Sequence, residues 1–179
     1  MTNQPDARDR LQPALLDRLT NDTSAASSDD QLYVSKAALR RAVIRDLGWL
    51  FNAVQPLPGS QASRHPNAVK STINFGLPPL AGQVASKLDV AQLERVIRQA
   101  IIDFEPRVRG DTVVVRAVEA EDVLGTHNVI VFEIHGWLWA QPVPLELVLR
   151  THLNLEAGKV ELRDLSPGAA VLAEADEAP

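Results

Sequence analysis

The order of patterns along the chain predicts an α+β domain in which N-terminal helices pack on a sheet of three to four mainly antiparallel strands. Three observations lead there. Two long segments before residue 105 repeat apolar residues at three- and four-residue steps, later segments repeat them at every second position, and no βαβ alternation is present. With 179 residues, 45% of them hydrophobic and 23% charged, the chain has the size and balance of one globular core with tails.

Residues 1–34 read as a flexible arm with a short amphipathic helix over residues 11–19. Pro13 lies near its start, and Leu15, Leu16 and Leu19 cluster on one side. So short a helix is marginal alone, so it is expected to dock on this domain or on a neighbour, tethered by polar residues 21–30. The single domain is expected over residues 35–165. Ser35 is placed to cap a long helix whose stripe is Leu39, Val43, Leu47, Leu50 and Val54, with Arg40, Arg41 and Arg45 mostly off it. Pro56 and Pro58 end that helix. Residues 55–67 read as a loop, followed by a short element over 68–75 that Gly76, Pro78 and Pro79 close.

Asp89, with Gln92 three positions on, satisfies a capping-box pattern for a second helix with the stripe Leu93, Val96, Ile97, Ala100, Ile101 and Phe104. Pro106 stops it. Strands are then expected over 112–118, 128–139 and 145–155. A fourth over 160–162 would follow a tight turn at Ala157 and Gly158. Residues 166–179 read as a disordered acidic tail.

Composition excludes several function classes. The absence of cysteine removes disulfides and thiolate chemistry, and the net charge of −5 disfavours nucleic acid as a partner. No apolar run is long enough for membrane insertion, and residues 1–10 lack the apolar core of a signal peptide, so a cytoplasmic location is expected. No phosphate loop, dinucleotide fingerprint or nucleophile elbow is present, and no cofactor or metal is expected. His135 and His152 read as cross-strand neighbours at most, without a third ligand.

The most informative stretch joins the second helix to the first strand: Glu105, Pro106 and Arg107. Opposite charges two residues apart in extended backbone point the same way. They either pin the corner or present a carboxylate and a guanidinium fork to another subunit. Trp137 and Trp139 fall opposite Ile130, Phe132, Ile134 and Leu138, and are either core under a second helical layer or partner-facing. No catalytic residue is assigned: a glycosidase needs two carboxylates across a cleft, one of them kept protonated, and a neighbouring cation works against that.

Four ordered blocks carry a family resemblance. Leu15-Leu16-Asp17-Arg18-Leu19-Thr20, Val43-Ile44-Arg45-Asp46-Leu47-Gly48-Trp49-Leu50, Ser71-Thr72-Ile73-Asn74-Phe75-Gly76-Leu77-Pro78 and Ile101-Ile102-Asp103-Phe104-Glu105-Pro106-Arg107 resemble type VI secretion TssE proteins, relatives of the lysozyme-like phage baseplate wedge protein. The resemblance implies a structural baseplate subunit with a sheet like the handshake fold of the sheath. It implies wedge partners TssF and TssG, sheath partners TssB and TssC, and a cytoplasmic site at the inner-membrane complex. Glu105, Pro106 and Arg107 match the family's Glu-Pro-Arg core. The rival expectations are a peptidoglycan hydrolase and a regulatory adaptor of the same fold.

Overall fold

The computed structural model describes residues 15–20, 35–57, 64–118, 128–140 and 143–167. The rest of the expected arm and tail, and residues 58–63 of the expected loop, lie outside them. The helices are α1 (Leu15–Thr20), α2 (Lys36–Asn52), α3 (Pro66–Val69) and α4 (Val90–Phe104). The strands are β1 (Val114–Val118), β2 (Val129–Leu138), β3 (Leu145–Asn154) and β4 (Lys159–Asp164). One-turn 3-10 helices stand at Thr72–Asn74, Ala85–Lys87 and Gly110–Thr112.

Both long helices start on the caps read from the sequence. The Ser35 hydroxyl accepts from the Ala38 N–H at 3.1 Å, and Asp89 Oδ1 accepts from the Gln92 N–H at 3.0 Å. The Gln92 side chain turns to Arg95, accepting from it at 2.7 Å. α2 ends at Asn52, so Val54 leaves the expected stripe, bridges in parallel to Leu77 and is 62% exposed. Gly76 permits that bridge. At φ +128° its absent Cβ would stand 2.5 Å from the Ala53 carbonyl oxygen, a place only glycine fills. The element expected over 68–75 is α3 and the first 3-10 turn.

The strands form an antiparallel meander in the order β1-β2-β3-β4, with β4 longer than expected. α2 packs against β4 and α4 against β1, both on one face. Leu47 and Leu50 of α2 and Ile97 and Ile101 of α4 meet Phe132, Ile134, Leu149 and Leu153 of the sheet in one apolar core. The other face carries Arg116, Glu133, His135, Arg150 and Glu161, the alternation of a sheet covered on one side. The turn into β4 uses Gly158 at φ +64°, with Asn154 Oδ1 accepting from the N–H groups of Glu156 and Ala157.

Three expectations are corrected by contacts that periodicity does not encode. Arg40, expected off the apolar stripe, is 8% exposed and donates to the carbonyls of Glu146 at 3.1 Å and Pro167 at 3.3 Å. Ser166, expected in the tail, is buried and its hydroxyl accepts from the Val148 N–H at 2.8 Å. His135 and His152 are not cross-strand neighbours, because their partners in register are Val148 and Val131.

Candidate functional site

The site grows from the end of α4. Glu105 is its C-cap, with its N–H donating to the Ile101 carbonyl at 2.9 Å, and Pro106 behind it forbids another helical turn. The Glu105 carbonyl accepts from the Val108 N–H at 3.1 Å, which turns the chain. Residues 107–109 then run antiparallel to residues 137–139: Trp139 N–H donates to the Arg107 carbonyl at 2.8 Å and Arg109 N–H to the Trp137 carbonyl at 2.9 Å. The corner is therefore locked at both ends by backbone.

Inside it, Glu105 is 3% exposed, and Arg107 encloses its carboxylate. Arg107 Nε donates to Glu105 Oε1 at 2.7 Å, the second guanidinium nitrogen to Oε2 at 2.5 Å, and the Arg107 N–H to Oε1 at 3.1 Å. Arg107 also reaches across to Asp46 of α2 at 2.5 Å. Asp46 is held by Arg45 at 2.9 Å, and Arg45 holds Asp17 of α1 at 2.5 Å. The result is an alternating string, Asp17, Arg45, Asp46, Arg107 and Glu105, that ties α1, α2 and the corner together. Burial alone would lower the affinity of the Arg107 guanidinium for its proton. The hydrogen bonds and charges of Glu105 and Asp46 outweigh that and hold it above the ordinary arginine value. Arg45 is also raised, chiefly by its hydrogen bond to Asp17.

The string borders an open cleft of about 510 Å³ whose walls include Leu16, Trp49, Phe75, Phe104 and Pro106. Trp49 is 50% exposed and carries the Arg45 guanidinium 4.9 Å above its ring. The cleft is apolar with an ionic rim, the make-up of a docking surface. Glu105 and Asp46 do both line it, but each carboxylate is already bound by a guanidinium, which is not the free acid and base of glycoside hydrolysis. Among the described residues, no group of three or more His, Asp or Glu is placed to hold a metal ion.

Of the residues singled out from sequence, Glu105, Pro106, Arg107 and Leu16 meet at this cleft, and Leu19 is exposed on the same short helix. The side chain of Leu15 lies outside the described residues. Trp137 and Trp139, 42% and 62% exposed, stand on the uncovered side of the sheet, so no second helical layer buries them among the described residues. Asp46, Arg45 and Trp49 were missed as site members. Arg45 and Asp46 are adjacent opposite charges on a helix, a pairing that gives no hint of partners 28 and 61 residues away. No helix among the described residues is long and apolar enough to cross a membrane.

A family model described as baseplate wedge protein gp25 matches residues 37–143, more than half of the chain. The match takes in nearly all of α2, the cleft apart from Leu16, the Glu105–Arg107 corner, β1 and β2. No curated protein and no solved structure matches the chain.

Proposed function

Because the chain belongs to the baseplate wedge protein gp25 family, we propose that it works as a TssE-like subunit of a type VI secretion baseplate. It would grip the wedge subunits TssF and TssG and offer its sheet, in a handshake-like arrangement, to the first layer of the sheath proteins TssB and TssC. At the coarser level the family makes it a phage baseplate wedge-like structural protein. The carrying observation is the ionic string from Asp17 to Glu105 beside an apolar cleft, inside the matched region apart from Asp17 and Leu16. A rigid rim of satisfied charges around exposed aromatic surface fits protein recognition, where a central aromatic anchor supplies much of the energy. On this reading the protein acts in the cytoplasm, on the baseplate docked at the inner-membrane complex, and catalyses nothing.

The test must spare the fold. Trp49→Ala removes half-exposed aromatic surface without touching the buried carboxylate. It is expected to weaken co-purification with TssF and TssG by about tenfold or more, on the scale of a binding hot spot, with an unchanged melting temperature. Undiminished wedge binding by Trp49→Ala would reject the cleft as the grip. Cell-wall digestion by the pure protein, abolished by Glu105→Gln, would reject the structural reading.

A further inference from the structure

We propose that the outer edge of β1 is the margin of the sheet that receives a strand from another chain, and that Glu94 and Arg98 of α4 guard that edge and select the strand by charge. The identity of the partner rests on the sheath-seeding part of the reading above. The choice of edge rests on hydrogen bonds.

The sheet has two margins, β1 and β4, and on each every second residue turns its N–H and C=O away from the sheet. On β4, α2 closes one such position completely. The Asn52 carboxamide donates to the Val160 carbonyl at 2.9 Å and accepts from the Val160 N–H at 3.0 Å, as a neighbouring peptide would. On β1 the outward positions are Val113, Val115 and Ala117. Glu94 Oε1 accepts from the Ala117 N–H at 2.7 Å, and Arg98 Nε donates to the Val113 carbonyl at 2.9 Å. Between them, the N–H and C=O of Val115 have no hydrogen-bond partner among the described residues. An open groove of about 580 Å³ runs along this edge, walled by Glu94, Arg98 and residues 113–117.

The two closures differ in kind. Asn52 is neutral and fills both groups of one residue, whereas Glu94 and Arg98 are charged and hold groups of different residues, Glu94 the Ala117 N–H and Arg98 the carbonyls of Val113 and, at 3.3 Å, Gly110. Charges on an edge deter indiscriminate pairing. They also allow an exchange. A strand lying antiparallel to β1 brings a C=O to the Ala117 N–H and an N–H to the Val113 carbonyl, and so releases both side chains. The freed carboxylate then takes a basic side chain at one end of the strand, and the freed guanidinium an acidic one at the other. No group on β1 or on the incoming strand is left unpaired by the swap, and the Gly110 carbonyl, an exposed contact of Arg98, can turn to water. The strand that fits reads basic, any, apolar, any, acidic, with its apolar residue opposite Val115. A second copy of β1 presents only Val113, Val115 and Ala117 on that face and lacks both charges, so the occupant is a different segment.

The test uses the full-length protein, isotope-labelled, and two synthetic peptides. One is Thr-Lys-Thr-Val-Thr-Glu-Thr, and the other exchanges its Lys and Glu. The first is expected to slow hydrogen exchange at the Val115 and Ala117 amides and to bind about fivefold or more tightly than the second. The double variant Glu94→Lys with Arg98→Glu should reverse that preference. Equal binding of the two peptides, binding of neither, or protection centred on Leu162 of β4 overturns the proposal. So does concentration-dependent protection of Val115 without peptide, which would make a second copy the occupant. In sheath assembly, Val115→Pro removes an N–H that no strand of this sheet uses, and should block assembly where Leu162→Pro does not. The opposite result would move the receiving edge to β4 and leave the baseplate reading standing. Should Val115→Pro fail to fold, the peptide measurements decide.

Discussion

Arg107 serves two carboxylates from two parts of the chain, and one of them is almost fully buried. Removing its head group in Arg107→Ala strands the Glu105 carboxylate, whose side chain is only 4% exposed, in an apolar corner. A buried charge deprived of its partner costs about 3–5 kcal/mol, to be read by urea unfolding. Arg107→Lys keeps a charge but loses the planar fork, and should fall between Ala and wild type. A loss below about 1 kcal/mol for Ala would place the pair among surface bridges of little consequence. The raised affinity of Arg107 for its proton adds stability that is complete below the ordinary arginine range and is lost only at more alkaline pH. The corner was legible as an ionic unit because both charges lie two residues apart. Asp46 was not, since nothing local connects it to a guanidinium 61 residues on.

At the scale of elements, the helices and strands were legible because caps, stripes and alternation are local signals. Ser35 and Asp89 cap where expected, and Pro106 ends α4 where expected. What escaped was contact between elements: Arg40 reaching Glu146 and Asn52 reaching Val160 span 106 and 108 residues. The cross-strand pair of Glu133 and Arg150, facing each other on β2 and β3 at 2.7 Å, makes a pH prediction of its own. The hydrogen bond from Arg150 is the main cause that lowers the Glu133 carboxyl from the ordinary glutamate value. A depressed carboxyl adds stability that is present above the unfolded value and is lost as pH falls through the folded one. NMR titration should therefore find Glu133 ionising below the ordinary glutamate value, and Arg150→Ala should move its midpoint upward. An unmoved midpoint would remove the bridge as the cause.

For the whole molecule, α2 and α4 insert into one continuous core against one face of one sheet. Neither helix has a second partner layer among the described residues, so neither is expected to persist once the sheet is lost. Helical circular dichroism and tryptophan fluorescence should consequently trace one coincident unfolding transition. Two separated transitions would divide the chain into independently stable units. Total architecture was legible because helices come first and strands afterwards, while the lack of a second helical layer among the described residues was not, since alternating sequence is compatible with either solvent or a partner there.

The ionic rim lies directly beside the bare aromatic surface of Trp49. A partner whose own charges complement that rim is drawn in over roughly one Debye length, about 8 Å at physiological salt. Encounter at this corner is then quickened by attraction and slowed by added electrolyte, whereas the grip that follows, being apolar, feels salt far less.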